Sequence, residues 1–221
     1  MPTLILPAAG LAERMGSIPK FLLPTGNERE NLLSRWIASS SGYVDKVVIA
    51  TNFLFFDYLN EMYANSTIEV KLVKSRSMAE TVKMQVCTEN TIVAMPDTYI
   101  SNPDEFFRVS DDFFNRRNSS LGVSLWNIKD HQRGKVGQVQ TREDRILQVI
   151  DKDRACLFPK FWGALSFTPA FHNHISHEDP HLGVSINRAI ANEMEVRALV
   201  MNGTYNDCGT ILEYKELLLK S

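Results

Sequence analysis

Two hydrophobic periods alternate along the first hundred residues. Short apolar runs at Leu4 to Leu6, Lys46 to Ala50, Ile68 to Val73 and Thr91 to Met95 read as strands. Between them, residues 31 to 37, 53 to 64 and 78 to 84 carry apolar side chains at helical spacing. The aromatic stripe over 53 to 64 is expected in the core. Strand alternating with helix four times indicates βαβ units and a parallel sheet covered on both faces. The pattern then changes. A polar-aromatic helix over 103 to 118 precedes closely spaced short strands at Leu121 to Trp126, Lys135 to Gln140, Arg145 to Ile150 and Phe161 to Phe167. That spacing suits antiparallel strands that cover or extend the parallel sheet. Helices over 169 to 176 and 183 to 193, a strand at Val196 to Met201 and a helix from Thr210 to Leu219 close the chain.

The first strand breaks at once into Pro7-Ala8-Ala9-Gly10, small residues over which a backbone can approach a ligand, and Arg14 and Lys20 follow on the same loop. Exposed backbone N–H groups beside two cations outline a site for a nucleoside triphosphate. The same residues also describe an ordinary strand-to-helix turn, since neither G-x-G-x-x-G nor G-K-[ST] is present. Asp97 directly follows the fourth strand, where open parallel sheets bind ligands, and it is equally a turn aspartate in Pro96-Asp97-Thr98. Asp207 begins Asp207-Cys208-Gly209-Thr210, in which Thr210 is placed to cap the last helix. Two such carboxylates at strand ends can converge on one hard cation. Ser77 precedes a helix start at Met78 and suits either an N-cap or a ligand contact.

Composition narrows the function classes. The chain has 221 residues, 44% hydrophobic and 23% charged, enough for one domain with a sizeable core. A net charge of -2 leaves no electrostatic footprint for nucleic acid. Cys87, Cys156 and Cys208 lie far apart with no C-x-x-C, so a reducing cytoplasm is expected rather than a disulfide framework. No apolar run reaches a membrane span, and the N-terminus lacks the basic start and long apolar core of a signal peptide. Four of the five histidines fall between His172 and His181, ahead of and around a proline-broken loop, which reads as a polar helix end rather than a zinc site. No G-x-S-x-G elbow or Ser-His-Asp order supports a nucleophilic hydrolase.

The run from Thr3 to Pro24, an apolar strand, P-A-A-G, x-x-x-R-M, P-K and x-L-L-P, resembles the N-terminal signature of the sugar-phosphate nucleotidyltransferases, the nucleotide-sugar pyrophosphorylases of the glucose-1-phosphate thymidylyltransferase type. Three further anchors follow in family order. Asp97 sits where a strand ending in Gly-Asp supplies a magnesium ligand, with Pro96 in place of the glycine. Asp151-Lys152-Asp153 is similar to the Glu-Lys-Pro segment and precedes a strand through Gly163, which together hold the sugar phosphate. Asp207 to Thr210 is similar to the C-terminal D-x-G-T, with Cys208 in the variable place; Ala12 replaces a common loop glycine.

The resemblance implies an α/β fold with a mostly parallel, Rossmann-like central sheet and additional antiparallel strands in the second half. It further implies one domain with a nucleotide-binding half (1–118) and an acceptor-binding half (119–221). The implied reaction is nucleotidyl transfer from a nucleoside triphosphate to a sugar 1-phosphate with Mg2+ as cofactor. Arg14 and Lys20 would be catalytic, Ala8, Ala9, Gly10, Ser77 and Met78 nucleotide-binding, Asp151, Lys152 and Gly163 sugar-phosphate-binding, and Asp97 and Asp207 metal-binding. Two other readings are a cytidylyltransferase for a polyol phosphate or phosphocholine, and a silent homologue that binds nucleotide-sugar and regulates a partner. The largest cleft is expected at the carboxyl ends of the parallel strands.

Overall fold

The computed structural model describes residues 1–11, 16, 18–26, 30–116 and 119–219. The chain opens with β1 (Thr3–Ala8), a 3-10 turn (Lys20–Leu22), α1 (Leu32–Ser39), β2 (Lys46–Thr51), α2 (Phe56–Met62), β3 (Ile68–Leu72), α3 (Met78–Lys83) and β4 (Thr91–Ala94). It continues through β5 (Thr98–Ile100), α4 (Pro103–Arg116), β6 (Leu121–Asn127), β7 (Gly137–Arg142), β8 (Arg145–Asp151) and β9 (Lys160–Phe167). The last elements are α5 (Pro169–His172), α6 (Leu182–Ala191), β10 (Val196–Val200), β11 (Tyr205–Asp207) and α7 (Ile211–Leu218).

One sheet runs through both halves of the chain in the order β3-β2-β1-β4-β9-β6-β10-β8-β7, with β7 also touching β9. Neighbours among β1 to β4 are parallel, as are β6 and β10. Every pairing of β7, β8 and β9 is antiparallel, so the sheet is mixed rather than mostly parallel. The cause is the short β7–β8 hairpin and the reversed β9, neither of which leaves room for a crossover helix. β1 is buried on both faces: Leu4 and Leu6 join a core with Trp36, Phe106 and Phe107 under α1 and α4, while Ile5 joins Val82, Leu165 and Ile186 under α3 and α6. A helix–sheet–helix sandwich results.

Local signals explain the helix starts. Asn31 Oδ1 accepts from the Ser34 N–H at 2.7 Å while Ser34 Oγ accepts from the Asn31 N–H at 2.9 Å, closing a capping box at α1. Ser77 caps α3 and Thr210 caps α7. Some expectations need correction. Phe53 (72% exposed), Leu54, Tyr58 and Met62 lie at the surface, with Leu59 alone of the 53–64 stripe fully buried, because α2 covers the edge strand β3 and no described element covers the outer face of α2. The helix expected over 169 to 176 is the single turn Pro169–His172. β7 begins at Gly137, and the small β5–β11 ribbon was not expected at all. No helix among the described residues is long and apolar enough to cross a membrane.

Candidate functional site

The segments following β1, β3 and β4 enclose a cavity of about 280 Å3. It forms because the β1–β4 ladder stops at Ile5 and Val93, and Pro7, two residues on, has no N–H with which to continue it. Pro7, Ala8, Ala9 and Gly10 make one wall, Ser75 to Met78 a second, and Met95 to Asp97 a third. Asn52, 5% exposed after β2, fixes the first wall by donating from Nδ2 to the Ala9 and Gly10 carbonyls at 3.1 and 3.2 Å. Ser77 Oγ accepts from the Glu80 N–H at 3.0 Å and donates to the Asp179 carbonyl at 2.6 Å, so its hydroxyl is engaged twice. Arg14 lies outside the described residues. Lys20, on the 3-10 turn, points its Nζ to 3.8 Å from Asp97 Oδ2, with only 11% of the side chain exposed.

A second cavity of about 200 Å3 adjoins the first and shares Lys20, Met78, Met95 and Asp97 with it. Its remaining walls come from the second half of the chain, among them Gly137, Asp151, Trp162, Tyr205 and Asp207. The β5–β11 ribbon brings the two aspartates together. Asp207 stands opposite Thr98, and the Cys208 N–H donates to the Asp97 carbonyl at 3.3 Å. Burial, then the charges of Asp207 and Asp97, push the Cys208 thiol up to about 12 and the Tyr205 hydroxyl well above its ordinary value. Negative charge is therefore concentrated at this edge, countered in part by Lys20.

This donor set fits magnesium. Mg2+ is commonly held by one or two carboxylates together with waters and substrate phosphates, and the oxygens of Asp97 and Asp207 are hard donors of that kind. Among the described residues, the 172–181 histidines included, no three or more His, Cys, Asp or Glu side chains are placed to hold a metal ion by themselves.

The acceptor-side candidates are also gathered here. Asp151 ends β8, with Lys152 Nζ at 4.0 Å and His181 Nε2 at 3.5 Å from its Oδ2. Lys152 has φ +52°, a left-handed conformation seldom held by a lysine, and its side chain is 67% exposed. Gly163 is the extra residue of a β-bulge: Ser124 pairs with Ala164 and Leu125 with Trp162. A Cβ at Gly163 would stand 2.3 Å from the Tyr205 ring, so packing by itself calls for glycine there. Asn52, Trp162, His181 and Tyr205 were not anticipated; a polar residue ending an apolar strand was the available signal for Asn52, and the others had none. A larger depression, about 820 Å3, lies at the opposite ends of the strands, beside Asn90, Ser119 and Glu195 ahead of β4, β6 and β10, which corrects the expectation for the largest cleft.

In fold this chain is similar to solved structures of sugar-phosphate nucleotidyltransferases. All of this chain superposes on a protein assigned as glucose-1-phosphate thymidylyltransferase from Bacillus anthracis, solved with sucrose, at a TM-score of 0.84, 15% identity and 94% of that chain. Inositol-1-phosphate CTP transferase from T. maritima matches at 0.79, with 17% identity and 100% and 96% of the two chains covered. UTP-bound UGPase from Acinetobacter baumannii matches at 0.77, with 14% identity and coverages of 100% and 93%. No family model and no curated protein matches the sequence.

Proposed function

We propose that this protein transfers a nucleotidyl group from a nucleoside triphosphate to a sugar 1-phosphate, forming a nucleotide-sugar and releasing pyrophosphate. The observation that carries this reading is the meeting of Lys20, Asp97 and Asp207 in the second cavity, which joins the first at Lys20 and Asp97 and brings both halves of the chain together. Residues 1–118 form the nucleotide half and 119–221 the acceptor half. The parallel order β3-β2-β1-β4 supports a Rossmann-like nucleotide side. The substrates named for the neighbours, sugar or inositol phosphates with pyrimidine or thymidine nucleotides, favour the same chemistry.

An oxygen of the acceptor phosphate attacks the α-phosphorus, and the bond from that phosphorus to the bridging oxygen of the leaving pyrophosphate breaks. The acceptor is an anion at neutral pH, so no general base is required, and the work of the protein is alignment and charge neutralisation. Ala8, Ala9, Gly10 and the backbone at Ser77 and Met78 hold the nucleotide. Lys20, with Arg14 from the same loop, neutralises the triphosphate and the departing pyrophosphate. Lys152 and Asp151 receive the sugar phosphate beside Gly163. Asp97 and Asp207 would hold Mg2+, which when bound screens the phosphate charges. Use of a nucleoside triphosphate fits a cytoplasmic enzyme.

The test is a matrix of nucleoside triphosphates against sugar 1-phosphates and polyol phosphates, read by pyrophosphate release at varied Mg2+. Turnover with at least one pair is expected. Nucleotide-sugar binding without turnover across the whole matrix would instead establish the regulatory homologue.

A further inference from the structure

Trp162 is 8% exposed, yet its indole Nε1 is buried with no hydrogen-bond partner among the described residues. Such a group loses water without replacing it, and a retained orphan donor in a native fold calls for an explanation. The neighbourhood is built around it. The Gly163 bulge shifts the alternation of β9, so that Trp162 shares a face with Leu165 while Phe161 shares the other with Ala164. On β7, Gly137 makes way for the indole: a Cβ there would stand 2.2 Å from Nε1 and 3.1 Å from Asp151 Oδ1. The indole edge and the Asp151 carboxylate thus flank the same glycine, and both line the second cavity. His181 Nε2, 3.5 Å from Asp151 Oδ2, stands on the carboxylate's other oxygen.

Lys152 and His181 both stand at Asp151 Oδ2, so the indole donor without an acceptor and the Oδ1 beside the same glycine together complement a hydroxyl group, which accepts one hydrogen bond and donates another. We infer that Trp162 is a specificity-determining residue for the acceptor, its N–H and the Asp151 carboxylate together selecting a phosphate ester that carries ring hydroxyls. The inference rests on the proposed reading of the second cavity as the acceptor site. It separates acceptor classes: a sugar or cyclic polyol phosphate offers a ring hydroxyl to both groups, whereas phosphocholine, with no ring hydroxyl, leaves the buried indole N–H unpaired. Sites built to bind a hydroxyl discriminate strongly against analogues lacking it.

The experiment measures binding separately from turnover. Glucose 1-phosphate, myo-inositol 1-phosphate and phosphocholine are titrated by calorimetry into the wild type and into Trp162→Phe, which keeps an aromatic ring and removes the N–H. At least one hydroxylated ester should bind the wild type better than phosphocholine does, and the variant should bind it about tenfold or more weakly, the effect of one buried hydrogen bond. Nucleoside triphosphate affinity should not change. The wild type supplies a second readout that needs no variant to fold: of its three indole N–H resonances, one should move on adding the hydroxylated ester. Assignment to Trp162 comes from the Gly137→Ala protein, in which the displaced indole should shift alone. Equal ester affinity in Trp162→Phe, phosphocholine binding as tight as the hydroxylated esters, or absence of ester binding to the wild type would each overturn the inference. Trp162-dependent ester binding without pyrophosphate release would leave it standing and refute the catalytic reading.

Discussion

The two cavities that meet at Lys20 and Asp97 are made in different ways. The first is lined mainly by short segments that each follow one parallel strand, joined by Lys20 and Phe21 from the 3-10 turn, so its walls are local stretches of sequence. The second is made by side chains from β7, β8, β9 and β11, brought together by antiparallel pairing across the second half of the chain. A site built from loop backbone tolerates many side-chain changes, provided that the loop keeps its course. A site built from packed side chains and glycine gaps does not. Nucleotide binding should therefore be robust to mutation, and acceptor binding sensitive.

Substitutions at Asp97 and Lys20, which both cavities share, and at Asp207, which lines the second, test whether the two cavities form one site. Asp97→Asn and Asp207→Asn should each lower turnover by about 10²–10³-fold with unchanged melting, the scale of a lost electrostatic contact to a developing charge. The double variant should be little worse than the worse single one, as for groups acting as a unit. Normal magnesium dependence in either single variant would separate the two aspartates. Lys20→Ala should cut turnover by a similar factor of about 10²; full activity at saturating triphosphate would remove it from the site.

Packing variants probe the fragile cavity. Gly163→Ala places a methyl group against the Tyr205 ring, and should cost about 2–3 kcal/mol in denaturant unfolding, within the range for overpacking. An unchanged midpoint would mean that the Tyr205 ring moves freely aside.

The tie between the two regions is open to a pH test. Burial alone would raise the Asp179 carboxyl, but hydrogen bonds from Arg188, from Ser185 Oγ and from the Ser176 N–H outweigh it and hold the group at about 2, below its ordinary 3.8. A depressed carboxylate contributes stability above its unfolded value and loses it as pH falls through 3.8 toward 2. Wild type should lose stability in that window, and Asp179→Asn, less stable by about 2 kcal/mol at neutral pH from the lost charged hydrogen bonds, should lose less. Parallel acid unfolding curves would assign the acid sensitivity elsewhere. Ser77→Ala should have the smallest effect, about 1 kcal/mol, from loss of the α3 cap and of the bond to the Asp179 carbonyl. A loss of triphosphate affinity without a loss of stability would instead give that hydroxyl a direct ligand contact.

Much of the nucleotide side was legible in the order of residues. β1 to β4 are short apolar runs separated by amphipathic helices, and their periods alone imply parallel neighbours. The position of Asp97 after β4, and of Pro7 to Gly10 after β1, follows from those strand ends. The mixed character of the sheet was not legible to the same degree, since short strands at close spacing do not reveal which of them turns back. The exposed stripe on α2 misled for a related reason: periodicity reports a helix face, and only its place at the sheet edge decides whether that face is covered.

By itself the sequence determined the element types, the helix caps and the candidate charges, because each depends on neighbours a few residues away. Tertiary structure decided the rest. It brought Asp207 beside Asp97 through two three-residue strands too short to leave a pattern. It turned Trp162 toward Gly137 and Asp151 through a single-residue bulge. Such contacts join residues far apart in the chain, and pairing register, which local propensity does not encode, determines which side chains share a cavity.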